Sequence, residues 1–82
     1  MSTLNKKIDI LTILYKNLQT GQPQLVPSST IAGEMNLNHK ELHQLLKSME
    51  GMGVIETDPD LQFNLITAKG VTWLNQQNPE IR

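Results

Sequence analysis

The residues best suited to chemistry are gathered in one short stretch, His39-Lys40-Glu41-Leu42-His43, with Gln44 and Lys47 close behind. Two histidines one helical turn apart have the spacing of a zinc chelate. Glu41, however, stands third in the motif, where the zinc-protease signature needs glutamate second, and no third ligand accompanies the pair. The chain also has no cysteine, no glycine-rich phosphate loop and no Gly-x-Ser-x-Gly elbow. No metal or cofactor is therefore expected, and the chain is not expected to be an enzyme. What the stretch offers is a polar helix face. At helical spacing Lys40, His43, Gln44 and Lys47 project together, with His39 and Glu50 on the flank. Lysines contact phosphates or guanine edges, glutamine reads adenine, and histidine can donate to either. The plainer alternative is a solvated helix face.

The surrounding sequence supplies the helix that such a face needs. Asn38 opens it, and Glu41 three residues on completes a capping-box pattern. Leu42, Leu45, Leu46 and Met49 share the opposite side, and Gly51 with Gly53 is expected to end the helix, giving a span of 38–51. A shorter helix is predicted immediately before it, over 28–36. Ser28 or Ser29 would cap it, Ile31, Ala32 and Met35 would face inward, and Asn36 would take the left-handed conformation of a tight turn. Leu37 then plugs the corner. Ser28, Ser29 and Thr30 thus fall at a helix N-terminus, where backbone amides and hydroxyls accept a phosphate.

Two helices and a hairpin complete the chain. The first helix is expected over 3–20, with Leu4, Ile8, Leu11, Tyr15 and Leu18 in one stripe, Leu14 at its edge, and Gly21 as its stop. Ile10 and Ile13 fall outside that stripe, which means either a wider buried face or a seam for a second copy. Gln24-Leu25-Val26 could form a very short strand. A hairpin is expected over 54–66, turning at Asp58-Pro59-Asp60, with Leu61, Phe63 and Leu65 alternating with Gln62 and Asn64. Thr67 can cap a last helix over 67–77, ended by Asn78-Pro79. Val71 and Leu74 share one side of it. Trp73 points away from them, either closing the core against the first helix or joining Ile10 and Ile13 in a partner interface, where tryptophan is enriched.

Composition sets the outer bounds. Eighty-two residues make one small domain, 1–82, in which only roughly 60% of the unfolded surface can be buried, so a partner subunit would help. Seven Lys or Arg against eight Asp or Glu, a net charge of −1, describe neither a disordered tail nor a strongly basic arm. No apolar run approaches the roughly 20 residues that cross a bilayer. Met1 to Lys7 lead into a polar–apolar mixture rather than a secretory signal, and a cytoplasmic location with no membrane partner is expected.

The order of elements resembles the winged helix-turn-helix domain over nearly the whole chain. Ser28 to Asn38 looks like the family's capped helix, small residue and tight turn. Leu46-Lys47-Ser48-Met49-Glu50-Gly51-Met52-Gly53-Val54-Ile55-Glu56 is similar to the end of a recognition helix running into the first wing strand. Leu65-Ile66-Thr67-Ala68-Lys69-Gly70 is similar to the second wing strand and closing helix of MarR- and PadR-like regulators. The resemblance implies an α+β, mainly α fold: a three-helix core, a short β-hairpin wing and a C-terminal helix. It further implies sequence-specific double-stranded DNA binding in transcription regulation, with the third helix in the major groove and the terminal helices forming a homodimer. Ser28, Ser29, Thr30, Asn38, His39, Lys40, His43, Gln44 and Lys47 are the residues so placed.

Charge argues the other way. The one arginine is Arg82, so no internal side chain can make arginine's two-pronged guanine contact. The wing carries Glu56, Asp58 and Asp60 with no lysine. The competing expectation is a winged helix that serves as a protein-interaction module and does not bind DNA on its own.

Overall fold

A computed structural model describes residues 3–19 and 25–77. The elements run α1 (Thr3–Leu18), β1 (Val26–Pro27), α2 (Ser28–Met35), α3 (His39–Met52), β2 (Ile55–Thr57), β3 (Phe63–Ile66) and α4 (Ala68–Gln77). The strands form one antiparallel sheet in the order β1-β3-β2. This is the winged-helix arrangement: a helical core with a hairpin wing, and a closing helix beside α1. Thr20, Gly21, Gln24, Asn78 and Pro79, expected at element ends, lie outside the described residues.

The core draws on every element. Ile10, Leu11 and Leu14 of α1, Ile31 of α2, Leu42, Leu46 and Met49 of α3, and Leu74 of α4 are almost completely buried, together with Val54 and Ile55. The buried face of α1 differs from the expected stripe. It is centred on Ile10, Leu11 and Leu14, whereas Leu4 and Leu18 are 47% and 37% exposed. Those two leucines sit at the ends of the helix, beyond the span that meets the core. Ile10 is 0% exposed, so the wider buried face is the correct reading of that residue.

Each turn has a local chemical cause. Asn36 takes φ 54° and ψ 44°, and its N–H donates to the Ala32 carbonyl, closing α2. Leu37 packs into the corner against the core. The Asn38 side chain accepts the Glu41 N–H at 2.7 Å and so caps α3. Gly51, expected to help end α3, is still helical; the stop is Gly53, at φ 79°. The start of α2 also differs. Pro27 is its N-cap residue and makes no side-chain capping bond, so neither Ser28 nor Ser29 caps the helix.

Thr67 fixes the closing helix twice over. Its hydroxyl accepts the Gly70 N–H at 3.0 Å and donates to the Gly53 carbonyl at 2.7 Å. Its N–H donates to the Val54 carbonyl at 3.1 Å. The first turn of α4 therefore lies directly against the strand leaving α3. A Cβ at Gly70 would stand 2.1 Å from the Val54 carbonyl oxygen, so only glycine fits there.

Candidate nucleic-acid interface

The interface candidate starts from the two helices joined by Asn36. Burial of Leu42, Leu45, Leu46 and Met49 pins one side of α3, which turns Lys40, Gln44 and Lys47 outward. All three are exposed, and none of their side chains makes a hydrogen bond or ion pair with another described residue. His43 is half-buried and His39 exposed; their rings meet edge-on at 6.1 Å between centroids. Among the described residues no three His, Cys, Asp or Glu side chains gather in a way that could hold a metal ion.

Glu41 does not add a free carboxylate to this face, because Lys6 of α1 forms an ion pair with it. That pair ties the first turn of α3 to α1. It also withdraws Lys6 from the cations available to a partner. Asn38 is exposed, with its side-chain oxygen committed to capping.

At the start of α2, Ser29 and Thr30 are exposed at the helix N-terminus. Ser28 is not. It is 3% exposed, its hydroxyl donates to the Leu61 carbonyl, and its N–H donates to the Gln62 carbonyl at 2.8 Å. Ser28 leaves the set of candidate ligand contacts because its polar atoms are turned into the protein. It joins the wing to the helix-turn-helix instead.

Asn64 is the residue that sequence reasoning missed. It is 0% exposed, and its side-chain amide donates to the Val26 carbonyl at 3.2 Å and to the Ser28 hydroxyl at 2.9 Å. The strand phase is thus the reverse of a simple apolar-inward alternation: Asn64 and Ile66 face in, while Phe63 is 45% exposed. At the tip, the Leu61 N–H donates to the Asp58 carbonyl at 2.9 Å, closing the expected turn, and Leu61 itself takes φ 57°. The Asp58 carboxylate accepts the N–H groups of Gln62 and Phe63 at 2.7 and 2.8 Å. These bonds, the Phe63 one foremost, hold its carboxyl below the ordinary value against a smaller opposing effect of burial.

The residues expected at a partner interface are not brought into one exposed cluster. Ile10 is wholly inside the protomer and offers no surface to a partner, because α1 turns it toward the middle of its buried face. Ile13 and Trp73 are both half-buried against the core. Ile13 lines an open cleft of about 510 Å³ between α1 and α2, with Asp9, Thr12, Lys16, Glu34 and Met35.

No protein-family model matches the chain, and no curated protein matches it. Among solved structures, it is similar to the X-ray crystal structure of a transcriptional regulator (MarR family) from Rhodococcus sp. RHA1, with a TM-score of 0.74 and 18% identity. The likeness covers 93% of this chain, which spans about half (54%) of the length of that protein. Helix order, the left-handed turn at Asn36, the three-stranded sheet with its hairpin wing and this superposition agree, and the chain has the winged-helix fold.

Proposed function

We propose that this chain is a sequence-specific DNA-binding transcriptional regulator that lays α3 in the major groove and works as a homodimer. The observation that carries the reading is the outward line of Lys40, Gln44 and Lys47, exposed and unpaired among the described residues, on the helix that follows a tight left-handed turn. In that role Lys40 and Lys47 meet phosphates or guanine edges, Gln44 reads adenine, and His39 and His43 donate from the flank. Ser29 and Thr30, with the first amides of α2, receive a backbone phosphate. The similarity to a protein described as a transcriptional regulator supports the same reading. The cytoplasm is where such a regulator would act, and among the described residues no helix is long and apolar enough to cross a membrane.

The low charge favours a dimer. Two α3 lysines per protomer give four across a dimer, and four neutralised phosphates set a salt slope of about −3.6. A single protomer would have half of that. Two copies of α3 on half-sites roughly 34–36 Å apart would recover both affinity and register. Ile13 and Trp73 are the residues that remain available for the seam.

Fluorescence anisotropy with a labelled mixed-sequence duplex at low salt tests the reading. Lys40→Glu with Lys47→Glu is expected to abolish binding and leave the fold intact, since both side chains point away from the core. Unchanged binding by the double variant would remove α3 from consideration. The acidic wing supports a second reading, a winged helix that assembles with other proteins without binding DNA. Glu56, Asp58 and Asp60 would repel a phosphate backbone.

A further inference from the structure

The strand register sorts the wing into two unlike faces. Glu56 pairs with Leu65 and Pro27 with Phe63, so these side chains lie on one face; Ile55 pairs with Ile66 on the other, which is buried. Leu25, one residue before Val26, joins the outer face and is 53% exposed. Leu25, Phe63 and Leu65, with Glu56, Thr57 and Asp58, line a shallow depression of about 240 Å³. Three apolar side chains and two acidic residues thus line it together. No lysine or arginine occurs from Val54 to Ile66.

We propose that this outer face of the wing is a docking surface for a partner protein, and that the partner presents a cationic segment carrying apolar anchors. Charge complementarity selects that occupant. A polyanion, whether DNA or an acidic lipid surface, is repelled by Glu56, Asp58 and Asp60. A second copy of this chain does not supply the match through its exposed cationic helix, because Lys40, Gln44 and Lys47 are not accompanied there by an exposed large apolar side chain. A lysine- or arginine-flanked segment places its charges over the carboxylates and its apolar side chains over Phe63, Leu65 and Leu25, the arrangement of an apolar interface core with a polar rim. None of the depression's residues belongs to the outward face of α3. The surface therefore operates whether or not α3 binds DNA.

The test is an amide NMR titration of the full chain with a synthetic 14-residue peptide of leucine and lysine at helical spacing, beside the same peptide with glutamate for lysine. The expected result is shifts at Leu25, Glu56 to Asp58 and Phe63 to Leu65 with the lysine peptide, and none with the glutamate peptide. Phe63→Ser and Glu56→Lys are each expected to weaken binding about tenfold, equivalent to ~1.4 kcal/mol. Both residues are exposed, so both variants retain the fold. Absent shifts, shifts centred instead on the Asp9 and Glu34 cleft, or equal binding of both peptides would overturn the proposal. So would concentration-dependent shifts at the same residues without peptide, which would make a second copy the occupant.

Discussion

The side-chain amide of Asn64 donates a 2.9 Å hydrogen bond to the hydroxyl of Ser28, joining the returning strand of the wing to the first turn of α2. Ser28 passes the connection on to the wing tip through its own bond to the Leu61 carbonyl. The wing and the helix-turn-helix are thereby held by buried polar groups as well as by apolar contact. Such groups are directional, and losing one partner leaves the other desolvated and unpaired.

Ser28→Ala removes both an acceptor and a donor from this network, and is expected to lower stability by roughly 1–3 kcal/mol. Ser29→Ala, at an exposed neighbour, is expected to change it by less than about 0.5 kcal/mol. Urea unfolding of the two variants reads the difference directly. Equal midpoints would mean that the Ser28 hydroxyl contributes nothing.

Two glycines in helices should respond to alanine with opposite signs. At Gly70 the added carbon meets the Val54 carbonyl, and overpacking of this kind costs roughly 1–3 kcal/mol or more. At Gly51, nothing lies within 4 Å of the added carbon and the backbone is helical, so alanine should stabilise by about 0.5–1 kcal/mol. Thermal unfolding should move down for Gly70→Ala and up for Gly51→Ala.

Much of this fold was legible because its turns carry specific chemistry. Asn36, Asn38, Gly53 and Thr67 each perform the cap or stop that the residue type suggests. The inward side of α3 was equally plain, since four large apolar residues recur at helical spacing. The face of α1 was less plain because isoleucines and leucines occur all round it, and only packing decides that Ile10 goes in while Leu4 and Leu18 stay out. Ser28 and Asn64 were misread for a related reason. A serine before a helix normally signals a cap and an asparagine in a strand normally signals solvent, whereas here the Ser28 hydroxyl accepts from the Asn64 amide in the interior, and Asn64 Oδ1 is buried with no hydrogen-bond partner among the described residues. Only the long-range pairing of residues 28 and 64 makes that visible.

Acid should loosen the wing tip first. The Asp58 carboxyl is held below its ordinary value of 3.8, chiefly by the Phe63 N–H and further by that of Gln62, with burial acting in the opposite sense. A depressed carboxylate stabilises the folded form above its ordinary value, and that contribution is lost as pH falls through the folded one. Amide shifts of Gln62 and Phe63 should therefore titrate together on acidification below about pH 4. In Asp58→Asn that joint step should disappear.

The partner seam separates by residue. Ile10→Asp would bury an unpaired charge and is expected to unfold the domain, since the cost is comparable with the whole stability of a small protein. Ile13→Asp and Trp73→Asp, at half-buried positions, should cost less stability than Ile10→Asp and halve the mass of the folded species seen by light scattering. A mass of one protomer for the parent chain would end the dimer proposal outright.

The most direct measurement is an amide NMR titration of the chain with mixed-sequence duplex DNA, first at low and then at physiological salt. Lys40, Gln44 and Lys47 on α3, with Ser29 and Thr30 at the start of α2, should shift, and those shifts should fade as salt rises. The wing residues Glu56 and Asp58 should stay in place throughout. Absence of shifts along α3 even at low salt would contradict DNA recognition and leave the wing, with its apolar and acidic outer face, as the working surface of the molecule.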